Sequence, residues 1–333
     1  MEVVFVAPVR LYPPTSGAGR RVLSMSRCLS KRGLKTTVIS LVSPLAARKL
    51  KSLAPQVDGN LAFFFSHVCD RMLLRKLLVA DIVQFEYPYL LPLMLLLRIL
   101  GKHFVLDEHG VEFQFVRELN RMPETPGKSR SVGFMLKRIS CFSPIVLGME
   151  KLAVSIASLV FACSNHDASE IKRLYCPGND KVKVVPNCAD PDFFDSVTPH
   201  NFGHPAVLFL GSFDHPPNVQ GASVLVTRIM PRVRDTVKDV RFVLVGRNPP
   251  QWLLSERDDN VVFTGAVEDL RPIVMGADVA VAPIFSGSGT RQKIVDYMAL
   301  GKPTVATTKG AEGLDLQDEL HFLQRDTVEG FSE

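Results

Sequence analysis

The sequence predicts an α/β protein of two doubly wound, Rossmann-like domains facing each other across a cleft. Three observations carry this. Short apolar runs recur along the chain, each followed by a segment of helical periodicity, the alternation that builds parallel βαβ units. The pattern gives way at residues 190–204, where Asp, Pro, Phe and His mix without periodicity, and then a second α/β pattern begins. The length of 333 residues suits two domains. The expected division is 1–197 and 198–333.

The elements follow in order. Residues 3–7 read as a buried strand, and the Pro/Gly/Ser loop 13–19 leads to an amphipathic helix from 20 to about 32. Gly33 stands where a helix end takes a left-handed residue. Residues 36–41, 80–85 and 103–107 are further strands, with 90–100 helical between the last two. Residues 115–150 fit poorly. Basic residues, Pro and Gly there precede an apolar stretch at 132–147, which reads as an excursion followed by a helix. A strand at 158–163, a helix at 165–175 and a strand at 181–186 complete the first half. The second half shows strands at 206–210, 241–246, 261–264, 279–283 and 303–307, with helices at 219–233, 270–276 and 292–300. In open α/β sheets ligands sit at strand C-terminal ends, so both halves should turn those ends inward.

Composition narrows the class. With 46% apolar and 22% charged residues the chain can bury large cores without a staple. Its six cysteines are scattered, with no CxxC pair, and fit a reducing compartment. The start lacks a basic leader region, and the longest apolar stretch, 90–100, is broken by Pro92 and Arg98, so neither a signal peptide nor a membrane span is expected. A cytoplasmic protein is the expectation. Residues 1–200 carry 26 Lys and Arg against 17 Asp and Glu, whereas 201–333 carry 13 against 17. A basic first half suits a polyanionic acceptor or peripheral contact with the anionic inner face of a membrane, although a solvated surface with more Lys and Arg than usual explains it as well. No aromatic-basic motif accompanies it, so nucleic acid is not an expected partner.

Three segments carry chemistry. The first is Ser16-Gly17-Ala18-Gly19-Arg20-Arg21, a strand-to-helix loop whose glycines admit a ligand close to the backbone and whose helix start attracts anions. It is neither a complete dinucleotide fingerprint nor a Walker A loop, and a plain tight turn explains it equally well. The second is Asp107-Glu108-His109-Gly110-Val111-Glu112, a dense titratable cluster after a strand, with His109 able to exchange a proton near neutrality. A histidine that merely caps a nearby helix is the bland alternative. The third is Ser286-Gly287-Ser288-Gly289-Thr290-Arg291-Gln292-Lys293, a loop opening a helix, whose amides and the Ser288 and Thr290 hydroxyls can cradle a diphosphate. Arg291 and Lys293 in the first turn oppose the helix dipole, a cost that a bound anion offsets. Asp296, one turn past Gln292, can take both hydroxyls of a ribose.

Together these stretches resemble the retaining glycosyltransferase family four, of the GT-B fold, over nearly the whole chain. The resemblance rests on Ser16–Arg20, on Ser164-Asn165-His166-Asp167, on Val184-Val185-Pro186-Asn187-Cys188-Ala189-Asp190, on Leu208-Phe209-Leu210-Gly211-Ser212 and on the Ser288–Asp296 run. It implies a nucleoside diphosphate sugar as donor, bound by Gly17, Gly19, Arg20, Gly211, Ser288, Gly289, Thr290, Arg291, Lys293 and Asp296. His109 would lie beside the transferred sugar, and His109, Gly19, Arg291 and Lys293 would serve catalysis. No metal or other cofactor is expected, and the acceptor would be a glycan, a lipid-linked or a small molecule. Three departures stand out. Ser288 occupies the position of the family's first paired glutamate, no Arg and Lys follow Gly211, and the chain stops at Glu333 before the family's returning helix, so the second domain is expected to be incomplete. The rivals are a GT-B-like nucleotide-sugar epimerase and a non-catalytic sugar-nucleotide binder.

Overall fold

The structure is a computed structural model of the chain. It describes residues 1–8, 11, 16–41, 70–119, 130–175, 180–190, 195–256 and 258–333, without the side chains of 119 and 130–142.

Two six-stranded sheets organise these residues. The first holds β1 (Glu2–Ala7), β2 (Lys35–Ser40), β3 (Ile82–Glu86), β4 (Val105–Glu108), β5 (Leu159–Ala162) and β6 (Val182–Val184), in the order β2-β1-β3-β4-β5-β6. The second holds β7 (Ala206–Leu210), β8 (Arg241–Val245), β9 (Val261–Gly265), β10 (Val279–Ala282), β11 (Thr304–Ala306) and β12 (Leu323–Gln324), in the order β12-β11-β10-β7-β8-β9. Every pairing is parallel. Parallel strands need helical crossovers that cover both faces, which is why β1 is wholly apolar after Glu2 and buried from Val3 to Ala7.

In the first unit the helices are α1 (Gly17–Lys31), α2 (Arg71–Val79), α3 (Leu91–Ile99), α4 (Glu112–Leu119), α5 (Arg130–Ile156) and α6 (Asn165–Leu174). In the second they are α7 (Pro216–Val224), α8 (Met230–Thr236), α9 (Gln251–Ser255), α10 (Arg271–Gly276), α11 (Gln292–Ala299), α12 (Thr308–Ala311) and α13 (Val328–Ser332). Each sheet has its own apolar core. Leu77, Phe85, Met94, Leu97 and Leu106 are fully buried in the first, and Phe209, Phe242, Leu244 and Ile294 in the second. Each such side chain contributes roughly 1.5–3 kcal/mol of burial.

Several boundaries differ from the sequence expectation. Helix α1 starts at Gly17 rather than 20, because the Ser16 hydroxyl caps it by accepting the Gly19 N–H at 3.1 Å. The glycines therefore form its first turn. The expected helix at 219–233 is longer at both ends: Pro216 and Pro217 open α7, and a π turn over Leu225–Ile229 joins it to α8. Helices α4 and α5 fall in the poorly fitting stretch, and residues 120–129 of that expected excursion lie outside the described residues. Helix α2 escaped prediction because Met72, Leu74, Leu78 and Val79 blur the period set by buried Leu73 and Leu77. Helices α12 and α13 are too short for periodicity, though Thr307 and Thr327 cap them.

Candidate active site in the cleft between the sheets

Strand order locates the site before any side chain does. In the first sheet the chain reverses its winding between β1 and β3, and in the second between β7 and β10. Those are the points where crevices open at strand C-terminal ends. One cavity of about 250 Å³ lies there, lined from the first sheet by Ser16, Gly17, Ala18, Arg20, Tyr87 and His109, and from the second by Gly211, Gly246, Ser288, Thr290, Arg291 and Lys293.

On the second unit, the loop into α11 turns through left-handed backbone at Gly287 (φ 106°) and Gly289 (φ 73°), which side chains rarely adopt. Sequence reasoning put the Arg291 charge beside an anion. Its guanidinium instead folds back on the loop, donating to the carbonyls of Ser286, Gly287, Ser288 and Gly289, so it holds the loop's curvature. Lys293 differs. Its Nζ donates to Asn218 Oδ1 at 2.8 Å and lies 4.2 Å from the centre of the Phe209 ring. Among the described residues it forms no ion pair, and burial, then the Arg291 and Arg20 charges, hold it well below the usual lysine range. His215, stacked on Phe115 at 5.0 Å, is pushed down to about 3 by burial and then by the Arg291 and Lys293 charges, so it adds none of its own.

Asp296 does not line the cavity. Its carboxylate is buried, accepts Gln292 Nε2 at 2.9 Å and forms an ion pair with Arg20 Nε at 2.8 Å, without the alignment of a hydrogen bond. Gly19 also stands off, its N–H held by Ser16, and Gly289 packs on the first unit rather than facing the space. Gly211 lines the cavity and needs its missing side chain, since a Cβ there would meet Asn218 at 2.7 Å.

On the first unit, His109 Nε2 lies 2.7 Å from Oε2 of buried Glu86, and its ring stacks on Tyr87 at 4.3 Å and 19°. Tyr87 holds φ 65° and ψ 156°, a conformation costing about 1–3 kcal/mol that surrounding packing must enforce. Arg21, 1% exposed, grips both oxygens of Asp107 at 2.9 Å and also donates to Asn187 and the Val185 carbonyl. Glu86, Asp107 and His109 place possible ligand atoms within 4.8 Å of one another. Both Asp107 oxygens already serve Arg21, and a metal ion there would meet that guanidinium's charge.

The two units touch through backbone as well as side chains. A Cβ on Gly110 would meet Gly289 N at 2.7 Å, and one on Gly289 would lie 2.0 Å from the His109 carbonyl. Asn187 donates to Thr290 Oγ1, Gln292 to the Cys188 carbonyl at 3.0 Å, and Glu118 accepts from Gly287 N–H and from Lys309 at 3.1 Å.

The profile described as Glycosyltransferase Family 4 matches residues 15–193, and that described as Glycosyl transferases group 1 matches 204–333. The chain belongs to glycosyltransferase family 4. Over 150 residues it is 33% identical to a phosphatidyl-myo-inositol mannosyltransferase of Mycobacterium leprae, covering 42% of this chain and 39% of that protein. The chain thus spans about two fifths of the curated relatives it matches. Among solved structures, a sucrose-phosphate synthase from Thermosynechococcus elongatus superposes with a TM-score of 0.67 at 16% identity, covering 100% of this chain and 88% of that one. Anabaena HepE in complex with UDP and glucose does so at 0.63 and 16% identity, covering 100% and 87%. These likenesses establish the GT-B fold.

Within that family frame, sequence reasoning missed Glu86, Tyr87, Asn187 and Asn218. Glu86 ends a strand that is apolar but for Gln84, and a carboxylate at that end was the available signal. Asn187 and Asn218 lie in stretches that carry the family resemblance, but their contacts to Thr290 and Lys293 appear only once the fold brings those segments together.

Proposed function

We propose that this chain is a retaining glycosyltransferase that moves a sugar from a nucleoside diphosphate sugar to a hydroxyl of a glycan, a lipid-linked or a small-molecule acceptor. The observation that carries this reading is Lys293, a buried lysine amine lining the cleft with an amide oxygen and an aromatic face beside it but no carboxylate, so that its charge awaits an anion. A buried charge is costly unless balanced, and a diphosphate is the counter-charge this position suits. Family membership and the UDP in the HepE complex support it.

In this reading the diphosphate rests on Lys293 and on the amides of Gly17 and Ala18, with the Arg291-braced loop shaping the cradle. Asp296 meets the ribose only by releasing Arg20, which then turns to the diphosphate. The bond from the anomeric carbon to the diphosphate breaks as the acceptor oxygen bonds to that carbon on the same face. The acceptor's proton passes to the departing phosphate oxygen. Side-chain cations and amides meet the charge that develops there, so the reading requires no metal ion.

A lipid-linked acceptor and peripheral contact with an anionic membrane are part of the proposal. Helix α2 turns Met72 and Val79 outward, 85% and 74% exposed, flanked by exposed Arg71, Arg75 and Lys76. Apolar centres with cationic flanks suit a lipid surface. Arg75→Glu/Lys76→Glu should abolish sedimentation with phosphatidylglycerol vesicles, and wild-type protein that ignores such vesicles would refute the contact. No described helix is long and apolar enough to cross a membrane.

The transfer itself is tested by incubating the protein with UDP-, GDP- and ADP-hexoses and glycan or polyprenyl-phosphate acceptors. The expected product keeps the donor's anomeric configuration by NMR. Epimerised donor without transfer would replace this reading with an epimerase. Binding without turnover would replace it with a carrier.

A further inference from the structure

We propose that Glu86 is a positioning residue that shares one proton with His109 and thereby makes the imidazole present an Nδ1–H donor to the cleft. Only the identity of the group that receives this hydrogen bond rests on the glycosyltransferase reading; the proton arrangement does not.

The argument begins with charge. Arg21 and Asp107 form a bidentate pair and cancel each other. Glu86 is fully buried beside them with no cation bonded to it other than what His109 can supply. If His109 were neutral and Glu86 ionised, the set of four would bury one net negative charge. One added proton makes the set neutral, whichever of the two partners holds it. Hydrogen bonding then fixes its place. Glu86 Oε1 accepts Gln84 Nε2 at 2.9 Å, so the proton can lie only along the 2.7 Å line from Oε2 to His109 Nε2. With Nε2 engaged as an imidazolium donor or as an acceptor from the acid, Nδ1 carries a hydrogen in both cases.

The surroundings agree. Burial, and then the Asp107 charge, raise Glu86 above the usual carboxylate range, opposed by His109 and Arg21. The remaining groups around the pair are Gln84 on β3, Tyr87 with its ring flat against the imidazole, and Arg21 from α1. Nδ1 has no protein partner among the described residues, and His109 lines the cavity. A donor fixed there suits a sugar hydroxyl oxygen or the departing phosphate. Glutamine at position 86 imitates the neutral acid, because its oxygen can accept from Gln84 while its NH2 donates to His109 Nε2, whereas leucine removes both contacts.

Nitrogen-15 correlation spectra of the imidazoles, with His109→Gln for assignment, test this directly. At about pH 7.5 both ring nitrogens of His109, or Nδ1 alone, should carry hydrogen in the free wild-type chain; Glu86→Gln, whose NH2 can donate to Nε2, should keep the Nδ1–H signal, and Glu86→Leu should lose it. With a UDP- or GDP-hexose that the wild type turns over, Glu86→Leu should lower kcat at least about tenfold with little change in donor KM, and Glu86→Gln should restore most of that loss. A bare Nδ1 in the wild-type spectrum overturns the proposal, even if Glu86→Leu fails to fold. So does a Glu86→Leu variant that keeps both the Nδ1–H signal and the wild-type kcat. Absence of turnover with every nucleotide sugar would count against the transferase while the spectra still decide the proton.

Discussion

Lys293 and Glu112 illustrate opposite answers to burial. Lys293 remains beside a cavity where a ligand can balance it, whereas Glu112, buried at the head of α4 near Glu150, has only Tyr89 as a side-chain partner. Burial pushes both Glu112 and Glu150 up to about 7. A carboxyl raised in the folded state stabilises it fully below the unfolded value near 4.5, and that contribution disappears as pH rises through 7. Stability should therefore fall between about pH 4.5 and pH 7.5, by up to about 3 kcal/mol from Glu112. Urea unfolding of Glu112→Gln should show a shallower slope and a gain above pH 7.5. A slope identical to wild type would mean that Glu112 titrates normally. Glu150 accepts the N–H groups of Glu112 and Phe113 at 2.9 and 3.0 Å, so its removal would also uncap α4.

At the scale of elements, closure of the two units depends on bare backbone. The β4–α4 turn and the loop before α11 approach so closely that Gly110 and Gly289 have no room for a methyl group. Gly110 does not adopt a left-handed φ, so Gly110→Ala tests space alone. This variant should keep wild-type thermal stability but bind UDP at least about tenfold more weakly, because displacement of about 1 Å at such a site has effects of that order. Unchanged affinity would show that the units close without this contact. Most of these elements could be read from sequence, because the parallel strands are short, mostly apolar runs and their helices alternate with them. Helix α2 could not, since its exposed Met72 and Val79 look like core residues, and neither could β12, two residues long.

For the whole molecule, the order of the strands decides where chemistry happens. Both switch points face one cleft, and the segments singled out in the sequence, Ser16–Arg20, His109 and Ser288–Lys293, converge there. What sequence could not supply is which way each side chain turns. Arg291 and Lys293, two residues apart on one helix start, differ completely: one braces its own loop and the other reaches Asn218, on the segment after β7 that lacks cations of its own. Asp296 and Arg20 likewise find each other across the units, a pairing 276 positions apart that no local pattern announces.

The central claim is that an anionic diphosphate is held at the head of α11 by Lys293. Calorimetric titration of UDP and GDP into wild type and Lys293→Met, each at about pH 7 and about pH 9, tests it most directly. The account predicts binding by the wild type that weakens as pH rises, because the depressed lysine must take up a proton to meet the anion, and binding at least about tenfold weaker and independent of pH in Lys293→Met. Equal affinity of the two proteins, or no binding of either nucleotide by folded wild type, would contradict it.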